Sequence, residues 1–336
     1  MVGETATGRC IVCGSSERFP LYRWDRGFEV WRCGECGLLY TDPLPDEDQL
    51  AEHYRDLSRI EAEPGHMRRR DQIEARLAAV REAVSRYLTL VAEIRGTGRI
   101  GRLLDAGGGL GLYSKAAESL GCEAHLLEID DQSVEFARRE LDLEHVIQGD
   151  VRDLAALVQG TFDLVLCRHV IEHVRDPASL VQDLAEVLAP SGVLILETPN
   201  ADNREQWAHP GIVPVHWRML GRANPDLSRS RRLAMALRKP LSVATPPKHL
   251  YGFRAQNLEL LMRRYGLAPR KRVTTVCGDR VFDPLYYRAP ASGRRVLRGA
   301  YRLYERPASR LVQLAGKGSR LAVFAEKPRG AERASA

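Results

Sequence analysis

From Arg102 onward, short apolar runs alternate with stretches of helical period. Arg102–Ala106, Ala124–Leu127, Phe162–Cys167 and Val193–Leu196 read as buried strands, and Leu112–Leu120, Val134–Leu141 and Pro177–Leu188 as helices. This alternation predicts an α/β fold, a parallel sheet with helices on both faces. Ligands in such folds bind beyond the carboxyl ends of the strands, where strand order reverses. Upstream, Ile73, Leu77, Val80, Val84, Leu88, Val91 and Ile94 recur at three- and four-residue steps and predict one stripe of a helix that closes at Gly96. Before it, Asp46 with Gln49 three residues on predicts the cap of a shorter helix.

The first 45 residues follow another rule. Cys10 and Cys13 form a pair with two residues between them, Cys33 and Cys36 form a second, and positions 14–32 separate the pairs. This is the spacing of a four-thiolate zinc ribbon. Two intervening residues let one tight turn aim both sulfurs at a tetrahedral ion, and Gly14 and Gly37 follow each pair where the backbone must bend. Phe19, Tyr22, Trp24, Phe28, Val30 and Trp31 flank Asp25-Arg26-Gly27, which reads as a hairpin. So small a module has little core, and a structural Zn2+ would supply much of its folding energy. Four thiolates leave no open position for catalysis. Cys122, Cys167 and Cys277 are scattered and read as buried thiols.

The first strand of the α/β region leads into Gly107-Gly108-Gly109-Leu110-Gly111. A dinucleotide fingerprint would require glycine at 112, which is leucine; the glycines fall instead at 107, 109 and 111, preceded by Asp105. Glu128 closes the second strand about 20 residues after Gly107, where a carboxylate can accept both hydroxyls of a ribose. NAD enzymes share that feature. Asp150 ends the third strand and suits either an adenine amino group or the N-cap of the residues after it.

Together, Asp105-Ala-Gly-Gly-Gly-Leu-Gly111, Glu128, Gly149-Asp150, FDLVLCRHVIEHVRDP at 162–177, SGVLILETPN at 191–200 and PPKHLYGFRAQNLELLMRRYGL at 246–267 resemble class I S-adenosylmethionine-dependent methyltransferases. The resemblance covers residues 100–327. It implies a Rossmann-like, doubly wound, seven-stranded and mostly parallel sheet whose final antiparallel strand is Ser319–Ala325. It implies that Gly107, Gly109 and Gly111 cradle the methionine part of S-adenosyl-L-methionine, Glu128 its ribose and Asp150 its adenine, with Asp105 and Arg168 in the same cofactor site. The ribbon followed by CGLLYTDPLPDEDQLAEHY looks like the head of a subset that modifies sugars and other small metabolites. Some deoxysugar C-methyltransferases share it but carry a further C-terminal domain for which these 336 residues leave no room.

The implied layout is a zinc-ribbon-like module at 1–45, a helical linker at 46–98, a methyltransferase domain at 99–328 with helical lid insertions at 201–249 and 277–318, and a disordered tail at 329–336. If a general base is needed, histidine suits it. His249 is the first choice and His173 the second, with a structural role as the competing reading for His173. His169 and His216 lie in segments also expected near the strand ends.

Charge then narrows the acceptor. Residues 1–200 hold 22 basic and 35 acidic groups, whereas residues 201–336 hold 28 and 9. Each insertion carries 9 basic and 3 acidic residues. An anionic partner is implied on the acceptor side: a nucleotide-linked sugar, natural-product intermediate or glycan whose phosphates meet arginine. A lipid-linked or prenyl acceptor is the alternative, with Arg294–Leu314 in peripheral contact with a membrane through Val296, Leu297, Leu303, Leu311 and Leu314. RNA is a third and less favoured reading, and a non-catalytic S-adenosylmethionine-binding protein a fourth. No apolar run reaches the length of a membrane span, and the N-terminus lacks a signal pattern, so a soluble cytoplasmic protein is expected.

Overall fold

The computed structural model describes residues 8–23, 27–46, 48–50, 70–204, 207, 212–223, 225, 227–238, 244–276, 304 and 307–330. The hairpin tip at Asp25-Arg26, Cys277, His209, Val296, Leu297, Leu303, most of the second insertion and the tail beyond 330 lie outside them. The chain forms two compact, discontinuous units. One gathers Met1–Pro45, Thr198–Asn257 and Val273–Ala322; the other gathers Asp46–Glu197, Leu258–Arg272 and Val323–Ala336.

The second unit holds the centre of the seven-stranded sheet. Its strands are β4 (Arg102–Ala106), β5 (Glu123–Glu128), β6 (His145–Gln148), β7 (Phe162–Arg168), β8 (Leu188–Pro199), β10 (Ala268–Thr275) and β11 (Arg320–Glu326). They lie in the order β10-β11-β8-β7-β4-β5-β6. The pairs β4–β5, β4–β7, β5–β6 and β7–β8 are parallel. Ser191 donates to Lys327 at one end of β8 and Asn200 to Ser319 at the other, which sets β11 antiparallel, as expected. Strand order reverses between β4 and β7, so the loops after these two strands flank the crevice where such sheets bind ligands.

Helix Arg70–Arg95 fulfils the predicted stripe. Val84 and Val91 are fully buried, and Ile73, Leu77 and Val80 pack on a cluster of Leu112, Leu126, Ala137, Leu141 and Leu143. Asp46 and Gln49 cap each other reciprocally, Gln49 N–H to Asp46 at 2.8 Å and Asp46 N–H to Gln49 at 3.0 Å. Asp176 accepts from the N–H groups of Ala178 and Ser179 and starts helix Pro177–Glu186, where Pro177 loses nothing because a first-turn N–H has no helical partner.

The first unit is built on a four-stranded sheet of β1 (Arg18–Arg23), β2 (Glu29–Cys33), β3 (Leu39–Asp42) and β9 (Tyr251–Gly252), in that order. All three pairings are antiparallel, and β9 adds itself to the ribbon by pairing Tyr251 with Tyr40 and Gly252 with Leu39. The first insertion supplies helices Ile212–Ala223 and Arg229–Arg238. Their Leu220 and Ala236 are buried with Tyr22, Val30, Leu39 and Ala244. The Tyr22 hydroxyl donates to Ala244 O at 2.7 Å inside that core. The sequence predicts a ribbon with little core and an insertion acting as a lid. Within this unit the insertion furnishes core to the ribbon, because the ribbon's apolar hairpin face needs a cover.

Candidate functional site

At the end of β4 the chain turns through the glycine loop. Gly107, Gly109 and Gly111 all adopt left-handed φ, at +72°, +57° and +76°, which explains their spacing at every second position. Gly108 is required by space: a Cβ there would lie 2.4 Å from Asp105 Oδ2 and 2.6 Å from Leu126. Beside Gly109 the situation is the reverse, for among the described residues nothing lies within 4 Å of where its Cβ would stand. The loop therefore has a packed underside and an open side.

Glu128, the last residue of β5, joins that loop. Its Oε2 accepts from Gly109 N–H at 2.7 Å, and its Oε1 from the N–H groups of Ile129 and Asp130 at 2.9 and 3.0 Å. Three backbone donors fix the carboxylate in place. Gly149 N–H donates to Glu128 O at 2.9 Å, which sets Gly149-Asp150 beside the same strand end. The loop, Glu128 and Asp150 thus share the carboxyl edge of β4, β5 and β6, as the sequence pattern requires.

Two of the predicted residues are engaged differently. Asp105 lies buried beneath the loop, accepts from the Ser114 hydroxyl at 3.0 Å, and is pushed up by burial to a pKa of about 6. Its place is that of a support for the turn. Asp150 caps the 3-10 turn Val151–Asp153, accepting from Arg152 N–H at 2.9 Å and pairing with the Arg152 guanidinium at 2.7 Å. Of its two sequence readings, capping is the one its contacts display.

Across the reversal point, β7 ends in Arg168 and His169. The Arg168 guanidinium pairs with Glu197 at 2.7 Å and lies 3.6 Å over the Tyr113 ring, with its Nε buried and unbonded among the described residues. The Tyr87 hydroxyl donates to the other oxygen of Glu197. His169 takes a positive φ of 54° and sets its ring between two carboxylates, Nδ1 3.2 Å from Glu172 and Nε2 3.3 Å from Glu197. Both carboxylates are buried. Burial pulls the His169 pKa down, but hydrogen bonds to Glu172 and Glu197 outweigh it and hold the value up at about 9. Burial would likewise raise Glu197, yet His169 and Arg168 keep it well below the usual carboxylate range. The two carboxylates therefore favour the protonated form of His169 at neutral pH.

Sequence reasoning passed over Glu197, Tyr113 and Tyr87. A signal existed for Glu197: an acid at the end of an all-apolar strand must find a cation. Its contacts across the sheet were not legible. His173 lies 3.9 Å from Glu172 through Nε2. His216 is buried on helix Ile212–Ala223, with its pKa lowered by that burial. His249 is half-buried in the first unit, where its N–H donates to Thr245 O at 3.2 Å and its carbonyl accepts from Thr245 N–H at 3.1 Å.

A pH prediction follows from His169. Its folded pKa is raised, so the stability it adds is complete below about pH 6.5 and is lost as pH rises through about 9. With its side chain 36% exposed, solvent screening reduces the effect to about 1–2 kcal/mol. Unfolding of the second unit by urea should be easier at pH 9.5 than at pH 6.5, and His169→Gln should flatten that slope. Identical slopes in the two proteins would refute the charged assignment.

The four cysteines meet in the first unit, their sulfurs all within 4.8 Å of one another and two pairs, Cys10–Cys36 and Cys13–Cys33, at 3.5 Å. The two turns repeat each other. Cys10 N–H donates to Ser15 O and Gly14 N–H to Cys10 O, while Cys33 N–H donates to Leu38 O and Gly37 N–H to Cys33 O. A tetrahedral ion with bonds of about 2.3 Å spaces its sulfurs about 3.8 Å apart, so the cluster fits one.

A family model described as a methyltransferase domain matches residues 40–271. A ubiquinone biosynthesis O-methyltransferase of Xanthomonas campestris pv. campestris is 39% identical over 104 residues, which are 30% of this chain and 43% of that protein. The chain thus spans less than half the length of the curated relatives it matches. Among solved structures, a SAM-dependent methyltransferase from Archaeoglobus fulgidus is 16% identical, with 75% of this chain and 94% of that one covered at a TM-score of 0.45. A magnesium protoporphyrin IX methyltransferase from Synechocystis is 12% identical, with 82% and 95% covered at a TM-score of 0.45.

Proposed function

The chain belongs to the methyltransferase domain family, and from that premise we propose that it transfers the methyl group of S-adenosylmethionine to a small anionic metabolite or glycan. The observation that carries this reading is the Gly109–Glu128 junction, an open glycine turn held by a preoriented carboxylate at the switch point of the sheet. In this reading the loop backbone receives the methionine part, and Glu128 exchanges its bond to Gly109 for the ribose hydroxyls. Asp150 faces the adenine and Arg168 borders the site from β7. The cofactor supplies an activated sulfonium methyl. What remains for the protein is to align the acceptor in line with it and to exclude water. His249 is the proposed general base for an acceptor that keeps its proton, with His173 second. Zn2+ on Cys10, Cys13, Cys33 and Cys36 has a structural role, since four thiolates fill its coordination sphere.

The basic insertions support an anionic acceptor. A lipid-linked or prenyl acceptor is the second reading, supported by relatives, 39% identical over 104 residues, that are named for ubiquinone biosynthesis. The test is incubation with isotopically labelled S-adenosylmethionine and panels of nucleotide-linked sugars and prenyl phenols. Labelled product should form in step with S-adenosylhomocysteine and fall at least tenfold in His249→Ala. Turnover unaffected by that substitution removes His249 from the mechanism. Failure of the wild type to bind S-adenosylhomocysteine removes the whole reading.

A further inference from the structure

Most of the large apolar side chains that remain exposed among the described residues fall in the first unit, where the charge is strongly basic. Helix Arg229–Arg238 turns Ala236 fully inward and leaves Leu233 and Leu237, one turn apart, 47% and 46% exposed. Exposed Arg229 and Arg231 stand on the same helix, which has no acidic residue. Arg232 is its anchor, lying 5.2 Å over the Trp217 ring. Residues 307–314 repeat the arrangement in a second helix. Val312 is buried, Leu311 and Leu314 are 68% and 76% exposed, and Arg310 is exposed beside them.

Two aromatic side chains extend this second patch. The Tyr304 hydroxyl donates to Trp207 O, Trp207 N–H to Arg204 O, and Arg204 N–H to Lys317 O just beyond the helix. Trp207 is 60% and Tyr304 50% exposed. Isolated exposed leucines are common on proteins, but leucine pairs at helical spacing with exposed arginines on the same helices, the second near exposed Trp and Tyr, match the composition of surfaces that enter a lipid interface. The charge selects the lipid: 28 basic against 9 acidic residues in 201–336 attract an anionic leaflet.

We propose that the first unit docks peripherally on an anionic bilayer, seating Leu233, Leu237, Leu311 and Leu314 in the interface with arginines on the headgroups. Among the described residues no helix is long and apolar enough to cross a membrane, so the contact is one of lying on the surface. The proposal does not depend on methyl transfer and is tested without an acceptor. The full chain is sedimented with vesicles of phosphatidylcholine alone and with vesicles of phosphatidylcholine and phosphatidylglycerol mixed two to one.

Wild type should pellet only with the anionic vesicles. Leu233→Gln/Leu237→Gln/Leu311→Gln/Leu314→Gln should bind them at least tenfold more weakly, with an unchanged circular dichroism spectrum and melting temperature. Arg229→Gln/Arg231→Gln/Arg310→Gln should bind more weakly than wild type at low salt and lose less as salt rises, because fewer headgroup contacts remain to be screened. Wild type remaining in the supernatant with anionic vesicles overturns the proposal, as does a four-leucine variant that pellets like wild type. So does tight, salt-sensitive binding to an RNA oligonucleotide that displaces the protein from vesicles and ignores the leucine changes. S-adenosylhomocysteine binding by the four-leucine variant, measured by calorimetry, separates loss of docking from failure of the cofactor reading.

Discussion

Gly109→Arg is expected to weaken binding of S-adenosylhomocysteine by at least 100-fold, about 2.7 kcal/mol, in calorimetry. The reason is geometric. Among the described residues no atom comes within 4 Å of the place a Cβ would take at Gly109, whereas Asp105, Leu126, Leu143 and Val170 crowd the corresponding places at Gly107, Gly108 and Gly111. An arginine would occupy the volume the ligand needs. It would also force a side chain onto a left-handed backbone at φ +57°, a cost of about 1–2 kcal/mol in stability. Gly109→Ala carries the same backbone cost without the bulk, so comparing the two separates strain from obstruction. Glu128→Gln should lose about tenfold, since it keeps one acceptor but surrenders charge toward the ribose. Equal affinity in wild type and Gly109→Arg would mean that the ligand does not use this loop.

The proposed Zn2+ site carries the largest expected effect on stability. Cys33→Ser is expected to drop zinc from one per chain to none and to unfold the first unit, because Cys33 is fully buried and anchors one of the two turns. A structural four-thiolate site contributes on the order of 10 kcal/mol, comparable with the whole stability of a domain. The core shared with Leu220, Ala236 and Ala244 offsets part of that loss, so a partly ordered first unit is the milder outcome. The chain offers a selective probe. All four tryptophans, at 24, 31, 207 and 217, fall within the first unit, so their fluorescence reports that unit alone. A strong chelator should redshift this emission while far-ultraviolet dichroism retains the signal of the second unit. Unchanged emission after complete zinc removal would show that the cluster is dispensable for folding.

The sequence by itself determined what depends on neighbours along the chain. Two Cys-x-x-Cys turns, the alternation of glycines at 107, 109 and 111, the carboxylate closing the second strand and the Asp46–Gln49 cap are each set within a few residues by backbone geometry. They could therefore be read from spacing. Strand and helix limits around the cofactor loop were legible because a buried parallel strand is almost wholly apolar and its helices are not.

Only the tertiary structure decided which distant groups share a partner. An apolar hairpin face announces that it must be covered but not by what, and its cover came from the helices Ile212–Ala223 and Arg229–Arg238, far downstream, with β9 completing the ribbon's sheet. In the same way Glu197 needed a cation, and the fold supplied two, Arg168 and His169, from the adjacent strand end. That choice biases His169 toward its protonated form. Hydrophobic burial and desolvation are non-directional demands along the chain; the fold alone supplies the side chains that meet them.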